Sequence, residues 1–341
     1  SLERQAKQLY SVGVKELIRV SDEQFAKFTT ERAVHAMGWP LWTPVLGPAM
    51  FGGGTMHPVS QNHIAVSMIV GLDWKYCDFN PQDALTNFKN HSFVKKFIEG
   101  GTIVEAGAKM IPEGGYFALP RNPQTSAIGK SNVLLLGDSA GFVNMIKIKG
   151  IHNAIKSGIA AGKAIAQSTN NYAAAASKYT EMLNSMGVID EMKTASRFRQ
   201  NVAKLGPLFG MPITVLGQLL PPFKTEEDYR EMSAKNYKYK PAKSYDKDTF
   251  TAMAATQHRE EQPCHLIIAN KNICAAKCGP AFNSPCISFC PAGVYETIGD
   301  YAKPANPSNC LHCKTCQRKC PFDNIRWTVP EGSGGPRYKN M

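Results

Sequence analysis

The stretch NCLHCKTCQRKCP, residues 309–321, places four cysteines close together in the chain. These are Cys310, Cys313, Cys316 and Cys320, and Pro321 follows the last of them. Cysteines this dense serve as disulfide partners, as zinc ligands or as ligands of an iron–sulfur cluster. The spacing between them decides among these three chemistries.

The spacing C-x2-C-x2-C-x3-C-P is the run found in bacterial ferredoxins. One tight loop can direct its first three thiolates at three corners of a cubane cluster. The fourth cysteine is carried away by the following helix and, in proteins with two clusters, ligates the other cluster. The run therefore predicts at least one [4Fe–4S] cluster.

A second group of cysteines precedes the first and ends in the same way. Its members are Cys274, Cys278, Cys286 and Cys290, with Pro291 next, and its spacing is looser (x3, x7, x3). Two such motifs predict a pseudo-symmetric pair of clusters that exchange one ligand. Cluster one would use Cys290, Cys310, Cys313 and Cys316, and cluster two would use Cys274, Cys278, Cys286 and Cys320.

The alternatives are structural zinc and disulfides. Zinc sites normally use separated pairs of C-x-x-C arms, which three cysteines at consecutive x2 steps fit poorly. A secreted disulfide scaffold would spread its cysteines over a small domain, whereas nine of the ten cysteines here follow residue 260. We expect Cys264 to be a packed free thiol and Cys77 a core or surface thiol.

The composition is that of a folded protein of two or three domains, with 341 residues and 43% hydrophobic residues. The net charge of +12 is scattered along the chain and no nucleic-acid motif accompanies it. We therefore expect a membrane surface or an acidic protein as partner and no nucleic acid. The chain starts at Ser1, so no targeting peptide can be read, and no clean apolar run reaches transmembrane length.

The periodicity of the chain predicts strands at residues 9–20 and 62–74, where apolar residues alternate. A short buried strand at 133–136, a glycine-containing turn and an amphipathic helix from about Gly150 follow, and two more helices are expected in 171–203. Residues 205–223 carry no charge, but four prolines and three glycines forbid one continuous spanning helix. They would instead lie in one leaflet of a membrane, form a core helix pair, or dock on another subunit.

Several stretches together resemble electron transfer flavoprotein–ubiquinone oxidoreductase. In the cysteine region they are FCPAGVYE (289–296), NCLHCKTC (309–316) and NIRWTVPEGSGGPRY (324–338). Further upstream, and in the family's order, they are HAMGWPL (35–41), VGLDW (70–74), EGGTIVEAGAKMIPEGG (99–115), IKIKGIHNAIKSG (146–158), KPAK (240–243) and QPCHL (262–266). The resemblance covers essentially the whole chain but only about the C-terminal half of the family's usual length.

The resemblance implies a membrane-surface flavoprotein with FAD, a [4Fe–4S] cluster and a ubiquinone site. The family's cluster ligands correspond to Cys290, Cys310, Cys313 and Cys316. The same set was predicted above from the exchange of one ligand between the two cysteine motifs. The four other cysteines are closer to fix-type ferredoxin-like proteins than to the animal enzyme. The family's quinone region corresponds to Gly38, Trp39 and Pro40. The alternative to a quinone-lining role is that Trp39 is simply a buried tryptophan that follows a turn.

The flavin site is partial. FAD proteins of this type open with a strand, a G-x-G-x-x-G turn and a helix whose N–H groups hold the pyrophosphate, and FGGGT (51–55) has glycines without that spacing. What the resemblance retains is the turn GDSAGFVN, with Asp138 placed for the ribityl chain. The residues of this partial FAD site are Gly137, Asp138, Ala140, Gly141, Phe142 and Asn144.

These features predict an α/β fold: a partial FAD-binding fold of the glutathione-reductase type with a β-rich quinone domain, plus a small α+β ferredoxin-like domain. The expected segments are 1–128 (quinone- and flavin-facing), 129–168 (strand–turn–helix of the FAD fold), 169–255 (helical segment and linker) and 256–341 (cluster domain). The expected function is transfer of electrons from reduced electron transfer flavoprotein towards ubiquinone, on the matrix side of the mitochondrial inner membrane or on a bacterial cytoplasmic membrane. The alternative is a non-catalytic accessory subunit of a larger respiratory complex. If the chain takes part in flavin chemistry, another polypeptide would supply the rest of the FAD site.

Overall fold

The computed structural model describes residues 1–29, 31–41, 50–130, 132–169, 171–216, 224–243 and 245–340. The chain forms two compact units, Ser1–Tyr10 with Ile111–Glu227 and Ser11–Met110 with Asp228–Met341. Helices and strands occur in both units, in agreement with the expected α/β class.

The strands, in chain order, are β1 (Tyr10–Arg19), β2 (Val34–Met37), β3 (Gly52–Ser60), β4 (His63–Gly71), β5 (Thr102–Pro112), β6 (Gly129–Lys130), β7 (Val133–Leu134), β8 (Leu266–Ile268), β9 (Tyr295–Ile298), β10 (Tyr301–Pro304) and β11 (Ile325–Trp327). The helices are α1 (Asp22–Phe28), α2 (Pro81–Asn90), α3 (Ser92–Ile98), α4 (Gly137–Ala140), α5 (Ile151–Ala166), α6 (Ala175–Ser185), α7 (Val188–Thr194), α8 (Phe198–Leu216), α9 (Lys247–Met253), α10 (Lys271–Ile273), α11 (Gly279–Phe282), α12 (Pro285–Phe289) and α13 (Thr315–Lys319).

A five-stranded sheet in the order β2–β3–β4–β1–β5 organises the unit that contains residues 11–110. Strand β1 pairs antiparallel with β4 from Ser11 opposite Gly71 to Arg19 opposite His63. The strands predicted at 9–20 and 62–74 are thereby confirmed. Ile64, Val66 and Met68 of β4 are completely buried, and Ala65 and Ser67 between them are buried as well, so both faces of this part of the strand are covered.

The glycine run at the start of β3 is explained by close packing. A Cβ on Gly53 would lie 1.8 Å from the carbonyl oxygen of Ala36, and a Cβ on Gly54 would lie 2.4 Å from the ring of Phe88. The run therefore lets β2 and α2 approach β3, which is a structural role and not phosphate binding.

The cysteine-rich C-terminal region packs against this sheet within the same unit. The Tyr338 hydroxyl accepts a hydrogen bond from the Ala108 N–H of β5 at 3.2 Å, and the Tyr338 ring fills the space beside Gly107. The Gln82 side chain of α2 donates to the Pro291 carbonyl at 2.8 Å. Two small antiparallel pairs, β9 with β10 and β8 with β11, frame the cysteines.

The other unit is mainly helical. Its core is formed by α4 to α7 and includes the fully buried Phe142, Tyr179 and Leu183. The predicted helix after Gly150 is confirmed as α5, and the helices expected in 171–203 are α6 and α7 with the start of α8. The prediction of a buried strand at 133–136 is wrong in part, because only Val133 and Leu134 are in a strand and Val133 is 51% exposed. The short hairpin β6–β7 leaves that side chain on its outer side.

Helix α8 contains most of the described part of the uncharged segment 205–223. Gly206 has a φ of 72°, which breaks the helical path, and Pro207 and Pro212 lie beyond the break. Leu208 and Phe209 are 68% and 64% exposed. Residues 217–223 lie outside the described residues. No helix within the described ranges is both long and apolar enough to cross a membrane.

Candidate metal centre and neighbouring sites

Four cysteines from two separate loops line one small cavity. They are Cys290, which follows α12, and Cys310, Cys313 and Cys316, which lie before and within α13. All four are buried, and Leu266, Val294 and Leu311 complete an apolar lining. The structure therefore brings together the four residues predicted for cluster one.

Burial makes the thiols of Cys310, Cys313 and Cys316 poor acids in the absence of a metal. It raises the pKa of Cys310 to about 12 and that of Cys313 to about 11, and it raises the pKa of Cys316 strongly. The neighbouring sulfurs add to the effect because negative charges would repel one another in a dry site. A bound metal centre reverses this balance, since its positive charge stabilises the thiolates.

Polar groups around the cavity point at sulfur. The His312 N–H donates to the Cys310 Sγ at 3.4 Å. The buried hydroxyls of Tyr295 and Thr315 have no nitrogen or oxygen partner within the described part of the chain. Tyr295 instead interacts with Cys316, and Thr315 with Cys313. Hydrogen-bond donors to sulfur are what an iron–sulfur cluster requires of its surroundings.

The second set of four cysteines is also assembled. Cys274 and Cys278 are four residues apart on a single π-helical turn, which places both on one side of that turn. Cys286 interacts with both of them and with Cys320. Burial raises the pKa of Cys278 to about 12 and raises the pKa of Cys286 strongly. The looser x3 and x7 spacing thus corresponds to a helical turn followed by a loop.

Asn324 joins two members of this second set. Its backbone N–H donates to the Cys320 Sγ at 3.3 Å, and its side-chain amide donates to the Cys274 Sγ at 3.2 Å. The sequence analysis missed Asn324, and its position four residues after Cys320 is the only local signal for it.

The spread of the sulfur atoms bears on the zinc and disulfide alternatives. All ten cysteines are free thiols. Thiolates on one tetrahedral zinc ion lie about 3.8 Å apart, because each Zn–S bond is about 2.3 Å long. Within the described residues, which include every cysteine, no three thiol sulfurs lie within 4.8 Å of one another.

Two lysines, the half-buried Lys247 and the completely buried Lys319, lie beside these cysteines, and the sequence analysis missed both. Lys247 donates to the carbonyls of Ile287 and Ser288 at 2.8 and 2.7 Å, between Cys286 and Cys290 in the sequence. Lys319 is completely buried between Cys316 and Cys320 and donates to the Trp74 carbonyl at 2.6 Å. Burial lowers the pKa of both lysines.

The two remaining cysteines lie apart from these sets. Cys77 is buried, as one of the two expectations for it allowed. The prediction that Cys264 is packed is wrong, because this thiol is exposed just before β8.

The predicted quinone residues lie between β2 and the residues that the structure leaves undescribed. Gly38 has a φ of 87°, and its N–H donates to the Gly52 carbonyl at 2.7 Å. Trp39 is 40% exposed and meets the ring of His91 edge-on at 4.9 Å. Pro40 is buried and its carbonyl accepts from the Tyr237 hydroxyl at 3.1 Å. An aromatic side chain at the surface next to a rigid turn is therefore available for a flat ligand.

The predicted FAD turn is formed, but most of its residues serve the protein core. Gly137 has a φ of 50° and donates to the Ser157 hydroxyl at 3.0 Å, and Gly141 ends α4 with a φ of 93°. Ala140 and Phe142 are completely buried in the core, whereas Asp138 is exposed.

Asn144 is occupied within the chain. Its carbonyl oxygen accepts from the N–H groups of Ile146 and Lys147, and its amide donates to Glu191 at 2.9 Å. The Nε2 of His152 lies 2.7 Å from the same carboxylate. The turn thus offers Asp138 and backbone groups to a ligand, but no cradle for a pyrophosphate.

Two regions of the chain match known family models. Residues 10–111 match the ubiquinone-binding model of electron transfer flavoprotein–ubiquinone oxidoreductase (ETF-QO). Residues 241–339 match the 4Fe-4S model of the same oxidoreductase. Both regions fall largely in the unit built on the five-stranded sheet.

Curated relatives carry the same name. The chain is 33% identical to a probable mitochondrial electron transfer flavoprotein–ubiquinone oxidoreductase of Schizosaccharomyces pombe, over 97% of this chain and 54% of that protein. It is 31% identical to the Pseudomonas aeruginosa oxidoreductase of that name, over 98% of this chain and 62% of that protein. It is also 31% identical to the mitochondrial electron transfer flavoprotein–ubiquinone oxidoreductase of Bos taurus, over 98% of this chain and 57% of that protein.

A solved structure, a geranylgeranyl bacteriochlorophyll reductase-like protein of Thermoplasma acidophilum, gives a TM-score of 0.40 at 17% identity, over 63% of this chain and 52% of that one. This likeness is too weak to bear on function. The chain spans about half the length of the curated relatives and corresponds to their C-terminal part. It therefore belongs to the electron transfer flavoprotein–ubiquinone oxidoreductase family, of which it carries the ubiquinone-binding and 4Fe-4S regions.

Proposed function

We propose that this chain is an electron-transfer protein that passes electrons from reduced electron transfer flavoprotein towards ubiquinone. The observation that carries the proposal is the assembly of buried thiols in the same compact unit as the ubiquinone-binding region. The names of the curated relatives support the donor and the acceptor.

Cluster one would be held by Cys290, Cys310, Cys313 and Cys316. A second cluster would be held by Cys274, Cys278, Cys286 and Cys320. The donors from Asn324 and the raised pKa values of these thiols support the second set. The pairs β8–β11 and β9–β10 around the cysteines support a ferredoxin-like α+β arrangement of this region.

The residues of the chain have defined tasks in this chemistry. When bound, a [4Fe–4S] cluster accepts and releases single electrons. Leu266, Val294 and Leu311 exclude water from the cavity of cluster one. The His312 N–H donates to the Cys310 Sγ, and the hydroxyls of Thr315 and Tyr295 interact with Cys313 and Cys316; these groups would stabilise added negative charge on the sulfur ligands.

Gly38, Trp39 and Pro40 would line the quinone region, where Trp39 offers an exposed aromatic face. The exposed Leu208 and Phe209 of α8 support contact of the segment 205–223 with a membrane surface or with another subunit. The mitochondrial relatives support a location on the matrix side of the inner membrane. Asp138 would contact the ribityl chain of FAD only where another polypeptide supplies the pyrophosphate site.

A second candidate function is that of an accessory subunit of a larger respiratory complex that keeps its clusters without catalysis. The partial flavin turn, in which Ala140 and Phe142 are buried in the protein core, favours this alternative. Reduction of ubiquinone by reduced electron transfer flavoprotein separates the two functions.

The experiment uses the protein purified in its native assembly. Iron, sulfide and flavin are determined first, and dithionite-reduced samples are examined by EPR. We expect Cys313→Ser to abolish the cluster-one signal and quinone reduction, and Cys264→Ser, a control at the exposed thiol, to leave both unchanged. Clusters without any quinone reduction would favour the accessory role, and a protein without iron would refute both functions.

A further inference from the structure

Three histidines outside the cysteine sets meet at one point. They are His258, which follows α9, His265, which precedes β8, and His312, which lies in the loop between Cys310 and Cys313. One ring nitrogen from each lies within 4.8 Å of those of the other two. We propose that these three imidazoles bind one zinc ion, as a site separate from the cysteine ligands.

The arrangement of the rings matches three imidazoles around one tetrahedral ion. A Zn–N bond of about 2.0–2.1 Å, with about 1.1 Å more to each ring centre, places the ring centres about 5.2 Å apart. The observed distances between ring centres are 5.0 Å for His258 and His312, 5.5 Å for His258 and His265, and 5.7 Å for His265 and His312. To bind one tetrahedral ion, the ring nitrogens of His258 and His312, now 2.8 Å apart, would separate to about 3.3 Å and the His265 ring would move inward.

The hydrogen bonds of His258 leave its other nitrogen free to ligate. Its Nδ1 lies 2.6 Å from the Ser308 carbonyl and must donate there, because a carbonyl oxygen only accepts. In the neutral ring the Nε2 then carries the lone pair, and this atom points at the His312 Nε2 at 2.8 Å. A ring N–H donated to a backbone carbonyl is the usual support of a metal-bound histidine.

His265 supplies the second observation that indicates a ligand. The residue is 2% exposed, and neither of its ring nitrogens has a hydrogen-bond partner in the described part of the chain. If His258 and His312 only formed a hydrogen bond with each other, both ring nitrogens of His265 would stay without a partner. An ion shared by the three rings would satisfy one of the His265 nitrogens.

The surroundings hold the rings in place and leave a route to solvent. Gly335 is required, because a Cβ there would lie 2.6 Å from the His312 ring. A cavity of about 240 Å³ borders His258, with Gln262 and Glu331 in its wall, and is large enough for the water that would complete the coordination. The neighbouring cations are Lys314, which stacks on Trp327 at 4.4 Å, and Arg259, which is paired with Glu331.

The ion would link three segments that are distant in sequence. His312 belongs to the loop that carries Cys310 and Cys313, so zinc would fix that loop to the strand β8 and to the segment after α9. The metal type follows from the ligands, since three neutral imidazoles and one open position suit zinc.

The test measures zinc independently of iron. The purified native protein is equilibrated with zinc sulfate, passed over a chelating resin and analysed for zinc and iron by mass spectrometry. We expect about one zinc per chain in the wild type, loss of at least nine-tenths of it in His258→Gln, and full retention in the control His35→Gln at an exposed histidine of β2. Unchanged iron content shows that the variants are folded.

X-ray absorption at the zinc edge of the wild type decides the case without any variant. A first shell of nitrogen and oxygen at about 2.0–2.1 Å supports the histidine site, and a sulfur shell at about 2.3 Å means that zinc occupies the cysteines. A sulfur shell, a wild type without zinc, or a His258→Gln variant that keeps zinc would each overturn the proposal. None of these outcomes bears on electron transfer.

Discussion

Lys247 should raise the reduction potential of the iron–sulfur centres that we propose for the two sets of cysteines. Lys247 donates to the carbonyls of Ile287 and Ser288, which lie between Cys286 and Cys290. These two cysteines belong to different sets, so one positive charge acts on both. Burial lowers the pKa of Lys247, and the charges of Cys290 and Asp83 oppose that effect. We predict that Lys247→Met lowers the potential of both centres, because the added electron loses a nearby positive charge.

The magnitude follows from Coulomb's law. The Lys247 amine is bonded to the carbonyl of a residue two positions before Cys290. At a separation on the order of 10 Å and an effective dielectric constant of about 20, the interaction is about 1.7 kcal/mol. For a one-electron couple this corresponds to about 70 mV, since a tenfold change in equilibrium constant is about 59 mV. The side chain is partly exposed, so we expect about 30–70 mV after screening by solvent.

The assay is a redox titration of the purified protein at pH 7, followed by EPR. Lys247→Arg keeps the charge and should stay close to the wild type. Lys243→Met removes an exposed charge nearby in the sequence and should shift the potential only slightly. A rise in potential in Lys247→Met, or a shift no larger than that of Lys243→Met, would refute the reasoning.

Three further predictions concern the second cluster and the helical unit. Cys278→Ser should reduce the iron content from about eight to about four per chain and keep the EPR signal of cluster one; a wild type with about four irons would contradict it. Burial alone would raise the pKa of Glu191, but hydrogen bonds from His152 and two other groups outweigh it and lower this pKa to about 2. Because that is below the unfolded value of about 4.3, the carboxylate stabilises the fold above pH ~4.3, and this stability is lost as the pH falls towards 2. Denaturant unfolding from pH 6 to pH 3 should therefore show a smaller loss in Glu191→Gln than in the wild type, and equal losses would count against this coupling. Arg199→Met should lower the free energy of unfolding by about 3–5 kcal/mol, because it leaves the buried Glu113 carboxylate without the guanidinium that lies 3.1 Å away. The double variant Arg199→Met with Glu113→Gln should recover most of this stability. A loss below ~1 kcal/mol in the single variant would argue against a stabilising Arg199–Glu113 ion pair.

Local patterns in the sequence were sufficient for the elements whose causes are local. Strands β1 and β4 follow from alternation, and α5 follows from its apolar period. The cysteine spacing also divided eight thiols into the two sets that the structure assembles, because each x2 or x3 step restricts where a loop can direct its side chains. The break in the segment 205–223 was readable for a similar reason, since proline and glycine act on their own backbone.

Other features depend on residues that are far apart in the chain. Val133 lies in an apolar run yet is exposed, because a two-residue hairpin buries only one side. Cys264 is exposed although nothing in its neighbours distinguishes it from a packed thiol. Sequence periodicity describes which face of an element is apolar and not which distant partner covers it.

The amino-acid sequence by itself determined the family resemblance and the main strands and helices, and it predicted two sets of cysteine ligands. Only the tertiary structure decided that the ubiquinone-binding region and the cysteine region share one compact unit, through contacts such as Tyr338 with β5. It also decided the meeting of three histidines and the place of Lys247 beside both sets of thiols. These arrangements join side chains separated by tens to hundreds of residues, and such contacts are selected by packing of the whole fold, which no local spacing encodes.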